Sequence, residues 1–203
     1  RCGPRARVPG GMSGATLAAV RPDRHAGLTI GQGTDLEAAA SLGHVQLGFS
    51  EIPLALCDYP IVLIKDGATG QFRLVALLGF AANRNLYVLG GNWAATYLPL
   101  NVLRLPFYLG APEGGELELC IDEASSLIGA TPGHALFDAS GAETPFLTGR
   151  RQLLQTMRAD AEKTAQFISA ITAARLVTPM TITLHHADQH QQDIEGAYTI
   201  DPL

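Results

Sequence analysis

The chain has 203 residues, 47% hydrophobic and 16% charged, with 14 Lys and Arg against 19 Asp and Glu for a net charge of −5. That length suits one domain with a self-sufficient core, and the apolar, lightly charged balance excludes disorder, collagen and coiled coil. The acidic balance leaves no broad basic face for a nucleic-acid backbone, and the scattered Cys2, Cys57 and Cys120 form no CxxC pair, which excludes a zinc knuckle, a redox motif and a disulfide scaffold.

Residues 1–11 are rich in Arg, Gly and Pro and precede Met12, so they are expected to be a disordered or upstream-derived leader, with the domain running over 12–203. The apolar patch Ala15–Val20 is too short and interrupted for a signal peptide. The longest apolar runs, Tyr59–Ile64 and Val75–Ala82, fall far short of the roughly 18–20 residues of a spanning helix. The expectation is a cytoplasmic protein with free thiols, Cys57 and Cys120 acting as small hydrophobes in strand-like surroundings.

Residues Ser13–Ser50 read as an extended arm with one short helix at Asp35–Leu42. Tyr59–Lys65 and Gln71–Gly79, separated by the turn cluster Asp66-Gly67-Ala68-Thr69-Gly70, predict a β-hairpin. Asn85–Leu89 predicts a further strand closed by Gly90-Gly91-Asn92, and Pro99 and Pro106 forbid a regular strand or helix interior across the stretch that follows. Glu116–Asp122 alternates as a half-buried strand, and Phe137-Asp-Ala-Ser-Gly141 is a turn. Then the period changes. Leu154, Met157, Ala161, Ala165, Ile168, Ile171 and Ala174 recur every three or four residues, predicting an amphipathic helix over Gly149–Leu176, capped by Thr148 and stopped by Pro179. Met180–His186 and Ala197–Ile200 close the chain as strands around a polar loop. The reading is a single α+β domain, mainly antiparallel sheet, with one long amphipathic helix near the C-terminus.

The order of motifs resembles the SapC family. It is carried by Tyr59-Pro60-Ile61-Val62, Leu78-Gly79, Asn85-Leu86-Tyr87, Gly91-Asn92-Trp93 with Tyr97 and Pro99, Leu103-Arg104-Leu105-Pro106-Phe107, and Leu119-Cys120-Ile121-Asp122. His25, Ser50-Glu51, Leu136-Phe137-Asp138, Thr164 and the ending Gly196-Ala197-Tyr198-Thr199-Ile200-Asp201 fit as well. Leu105 and Leu63 stand where the family more often has an aromatic. The resemblance implies a soluble bacterial protein similar to products encoded beside flavin-dependent halogenases, TonB-dependent receptors and iron oxygenases, and the family name refers to a bacterial surface layer.

The most informative stretch for chemistry runs from Trp93 to Tyr108. Trp93, Tyr97, Arg104 and Phe107, with Tyr87 just upstream, supply aromatic walls and a guanidinium suited to a carboxylate-bearing small molecule, a peptide or a partner protein. The alternative is that these aromatics fill a core beneath a loop, with Arg104 capping carbonyls or pairing with Asp122. His186-x-Asp188 resembles the start of an iron facial triad, but only His190 follows, so a polar loop is the better reading. No GxSxG elbow, phosphate loop or dinucleotide fingerprint is present; Ser125-Ser126 lacks a placed histidine, and Asp122-Glu123 reads as a solvated strand end. The expectation is therefore a non-catalytic binding or accessory protein with no cofactor, no metal and no catalytic residue. The alternatives are a metal-assisted enzyme using Asp122, His186 and Asp188, and a structural protein of a surface layer.

Overall fold

A computed structural model describes residues 5–7, 17–81, 83–111, 116–185, 188 and 191–201. In chain order the elements are β1 (Arg5–Arg7), β2 (Leu17–Ala19), α1 (Pro22–His25), β3 (Thr29–Gly31), α2 (Leu36–Ala40) and β4 (His44–Gln46). A 3-10 turn (Phe49–Glu51) then leads into α3 (Ile52–Ala55), β5 (Ile61–Lys65), β6 (Phe72–Leu77), β7 (Val88–Leu89) and β8 (Asn92–Trp93). The remainder is α4 (Leu100–Leu103), β9 (Phe107–Gly110), β10 (Glu118–Asp122), β11 (Gly133–Ala135), α5 (Pro145–Ala173), β12 (Val177–His185) and β13 (Gln191–Ile200). The fold is α+β and its sheets are mostly antiparallel.

The chain divides into two compact units: Arg1–Gly11, Ala40–Pro99 and Asp160–Leu203 make the first, and Met12–Ala39 with Leu100–Ala159 make the second. The first is organised by a six-stranded sheet in the order β1-β13-β5-β6-β4, with β12 along the other edge of β13. Its hairpin pairs β5 with β6 in the register Lys65↔Phe72. Asp66 Oδ1 accepts the Ala68 and Thr69 N–H groups at 2.9 Å, and Gly70 takes φ +71°, a left-handed angle that glycine adopts without a Cβ clash. Val62, Val75, Leu77 and Ala197 form the buried core of this unit.

The second unit holds the three-stranded sheet β2-β10-β9 and the pair β11-β3. Its core gathers Val20, Ile30, Phe107, Leu119, Ile121, Leu136, Phe137, Leu147 and Leu154. Asp138 closes the predicted turn by accepting the Ser140 and Ala142 N–H groups at 2.8 and 3.0 Å.

The central hairpin and the long helix stand as expected; the closing strands are longer than expected, running Val177–His185 and Gln191–Ile200 so that residues 191–196 of the expected polar loop are strand, and other elements differ for physical reasons. Residues 17–50 are not an arm: they supply β2, β3 and β4 to three different sheets. The strand expected at Asn85–Leu89 shrinks to β7, because Asn85 bends its own backbone. Pro99 and Pro106 permit α4 and β9 directly after them, since each proline sits ahead of the element rather than inside it. Strand β10 is buried at Leu119, Cys120 and Ile121 alike, so it is covered on both faces and does not alternate. Cys57 is exposed beyond α3 instead of lying in a strand, whereas Cys120 is buried. Cys2 lies outside the described residues.

Helix α5 begins four residues before the expected start. Thr144, not Thr148, is its cap, accepting the Leu147 N–H at 3.4 Å, and Pro145 occupies the first turn, where a missing N–H costs nothing. Its end is set by Arg175 at φ +58° with the Leu176 N–H returning to the Ile171 carbonyl at 3.0 Å, a left-handed closure made without glycine. Pro179 sits inside β12, opposite Tyr198. The buried stripe also departs from the expected one: Ala161, Ala165 and Ala174 are exposed, and Asp160 and Thr164 are buried in their place.

Candidate functional site

Tyr87, Trp93 and Tyr97 come together in the first unit on a short, heavily pinned hairpin. Strands β7 and β8 pair as Val88↔Trp93 and Leu89↔Asn92. The two residues between them, Gly90 and Gly91, have φ +56° and +77°, the pair of left-handed angles that a two-residue turn of this twist demands. Upstream, Gly79 passes so close to the Arg84 carbonyl that a Cβ would lie 1.9 Å from its oxygen. Only glycine allows that crossing. The buried Asn85 side chain then accepts the Tyr87 N–H at 2.8 Å and aims the hairpin.

Asp58 and Tyr59 anchor it from below. The Asp58 carboxylate accepts the Tyr97 N–H at 2.6 Å, and the Asp58 carbonyl accepts the Tyr87 hydroxyl at 2.8 Å. The buried Tyr59 hydroxyl donates to the Tyr97 carbonyl and accepts the Trp93 indole N–H at 2.8 Å. Tyr59 and Tyr87 rings lie 4.7 Å apart, and Tyr87 and Trp93 stack at 6.2 Å with planes 22° apart. Burial pushes the Tyr59 phenol up to about 12, moderated by the Trp93 hydrogen bond and reinforced by the Asp58 charge. Burial also raises the Tyr87 phenol, with Asp58 adding to it. These phenols are neutral scaffolding groups at physiological pH. Every polar tip of the cluster is used internally, while Tyr87 and Trp93 remain half-exposed beside Leu86, 43% exposed, and Leu89, 61% exposed.

A second polar constellation lies beneath the same cluster. The Tyr97 hydroxyl donates to Glu51 Oε1 at 2.9 Å, and Glu51 Oε2 accepts the Gly48 N–H at 2.8 Å. Asp160 accepts both the Ser50 N–H (3.1 Å) and the Ser50 hydroxyl (2.5 Å), while Thr164 Oγ1 accepts the Phe49 N–H at 2.8 Å. Each N–H of the turn from Gly48 to Ser50 is thus met by one side chain. Glu51, Asp160 and Thr164 are buried, which fits a clamp fastening the turn to α5 rather than a solvent-facing acid pair. Burial and then the Glu51 charge push the Tyr97 phenol above its ordinary value. Both buried carboxylates therefore act as acceptors of fixed donors.

Arg104 and Phe107 are held within the second unit. Arg104, 9% exposed, donates from Nε to Asn101 Oδ1 and from Nη1 to the Phe107 carbonyl, each at 2.8 Å, and its guanidinium lies 4.1 Å from the Tyr108 ring centroid. It caps a carbonyl, as one sequence reading held, and does not pair with Asp122. Burial lowers its pKa and raises that of Tyr108, each partly offset by the other. Phe107 is fully buried, with its ring edge-on to Phe146 at 6.0 Å.

The remaining candidates have structural partners. Glu123 accepts from Arg24 and from His25 Nε2 (3.2 Å), and these contacts, Arg24 foremost, hold its carboxyl below the usual range. His25 is fully buried, its Nδ1 accepting the Arg21 N–H at 3.0 Å. The Ser125 hydroxyl donates to the buried Asp35 carboxylate. Burial raises the Cys120 thiol, followed by the Glu118 charge, so it is no activated nucleophile. His186, His190 and most of the polar loop lie outside the described residues, and among the described residues no group of three His, Cys, Asp or Glu is placed to hold a metal. No described helix is long and apolar enough to cross a membrane.

Sequence reasoning found Trp93, Tyr97 and Tyr87 but missed Asp58 and Asp160, which fix them and the turn beneath. Asp160 was hidden because it stands next to Ala161 in a helical pattern that reads as an alanine stripe. Ser50-Glu51 and Thr164 were visible as motif residues without a stated role; the clamp supplies one. The family model SapC matches residues 20–202, and the chain belongs to that family. No curated protein and no solved structure matches it.

Proposed function

We propose that this SapC-family member is a bacterial, cytoplasmic binding or accessory protein that receives a peptide or protein partner on the hairpin from Leu86 to Tyr97. The observation that carries the reading is the combination of half-exposed Tyr87 and Trp93 rings, their polar tips already satisfied, with two exposed leucines on the same hairpin. Rings locked in advance lose little entropy on contact, and such rigid aromatic anchors dominate binding energy at interfaces. Arg104 and Phe107 support the second unit and take no part in the contact. The net charge of −5 argues against a nucleic-acid partner.

Proteins of the expected neighbourhood, a flavin-dependent halogenase first, are the partners to try. The chain carries one tryptophan, so Trp93 emission reports the hairpin directly. Titration with the purified halogenase is expected to shift that emission. Leu89→Glu is expected to weaken binding at least tenfold while leaving urea stability unchanged, because Leu89 is exposed. Absence of binding to every such protein, or equal binding by L89E, refutes the reading.

A further inference from the structure

We propose that a groove in the first unit binds a free acyl-chain carboxylate, with its headgroup on Lys65 and its chain along α5. The groove is open to solvent along its length and offers about 660 Å³ between the end of the β5–β6 hairpin and the second half of α5, within the range of small-molecule sites. Its helical wall carries Ala165, Ser169 and Ala173, spaced four apart, with Ile168 beside them. These short side chains leave room along the helix that a larger residue would fill. The hydroxyl of Thr172, also on this wall, is spent on the Ile168 carbonyl at 2.7 Å, so the wall offers a mainly apolar surface.

The opposite wall ends in a cation. Lys65 and Phe72 face one another across the hairpin, and the Lys65 ammonium lies 5.7 Å from the Phe72 ring centroid. Phe72 is itself propped edge-on against Tyr198 at 4.9 Å. The adjacent acid is already committed: Asp66 pairs with Arg73 at 2.5 Å and accepts two backbone N–H groups. No carboxylate among the described residues pairs with Lys65. The exposed Lys65 ammonium, with no carboxylate partner and set at one end of a mainly apolar groove, complements a monoanion with a hydrocarbon tail. One ammonium balances the single negative charge of a carboxylate, whereas a phosphate monoester carries nearly two at pH 7 and would be left half-compensated. None of these residues belongs to the hairpin from Leu86 to Tyr97, so this site is separate from the proposed partner surface.

The test uses the full chain and three probes with a ten-carbon chain, decanoate, decanol and decyltrimethylammonium, titrated calorimetrically below their micellar or solubility limits. Decanoate is expected to bind at least tenfold more tightly than either of the others. Lys65→Met keeps most of the unbranched stem and removes the charge; it is expected to weaken decanoate about tenfold and leave decanol unchanged. Ser169→Trp, at an exposed helix position, is expected to fill the groove and abolish binding. The proposal is overturned if decanoate does not bind, if decanol or the ammonium binds as well as decanoate, or if either variant binds decanoate as the wild type does.

Discussion

Replacing Gly48 by alanine tests the buried clamp at a single atom. The Gly48 backbone has φ −80° and ψ 157°, an ordinary extended conformation, so alanine carries no backbone strain there. Relative to glycine it would by itself stabilise by about 0.4–1 kcal/mol through the unfolded chain. The side chain is the difficulty: a Cβ at position 48 would lie 2.0 Å from Asp160 Oδ2, whereas real Cβ atoms stay beyond 3.0 Å. The carboxylate has to retreat by about 1 Å, and it is gripped by the Ser50 N–H and hydroxyl. Overpacking of about 1–3 kcal/mol, joined by weakening of charge-assisted hydrogen bonds, gives a net loss of about 2–4 kcal/mol. With Asp160→Ala already made, the obstacle is gone and Gly48→Ala should be neutral or stabilising. Urea unfolding followed through Trp93 emission across the four-member cycle measures this, and the expected coupling is about 3 kcal/mol. Equal cost of Gly48→Ala in both backgrounds would refute the claim that Asp160 occupies the space beside Gly48.

Arg104→Lys is expected to destabilise by about 2–3 kcal/mol in thermal or urea unfolding, because an ammonium cannot serve Asn101, the Phe107 carbonyl and the Tyr108 ring face together; stability within 0.5 kcal/mol of wild type counts against that role. The Asp138 carboxyl is held below its usual range, first by the Ser140 hydroxyl and then by the Ala142 and Ser140 amides. A carboxyl with a depressed folded-state value stabilises above its unfolded pKa, and that contribution fades as pH falls through the folded one. Asp138→Ala should therefore lower Tm at pH 6 and lose part of the wild-type decline below pH ~4; identical acid limbs for the two proteins would disprove the turn's dependence on this charge.

Local chemistry with a local cause was legible in advance. The hairpin of β5 and β6 follows from two β-branched runs and a turn led by Asp66, and α5 follows from its 3.6-residue period. What escaped was non-local. Asp160 and Thr164 are buried because a turn more than a hundred positions earlier needs acceptors, and no helical wheel registers that need. The aromatic stretch was singled out as one segment, yet its residues divide between two units at Pro99 and Leu100, a boundary that composition does not mark. The 17–50 region read as an arm because strands of three residues are too short to display a period.

That helix α5 contributes Pro145–Ala159 to one unit and its remaining turns to the other has a practical consequence for dissecting the molecule. No contiguous piece of the coding sequence specifies either half, since each is assembled from separated segments. Truncation from the C-terminus strips Asp160–Leu203 from the first unit before it reaches the second, and truncation from the N-terminus passes from the first into the second at Met12, so no terminal cut leaves either unit whole and alone. Circular permutation with new ends in the exposed Gly67–Ala68 turn, which leaves every segment in the chain, is the sounder way to test each half.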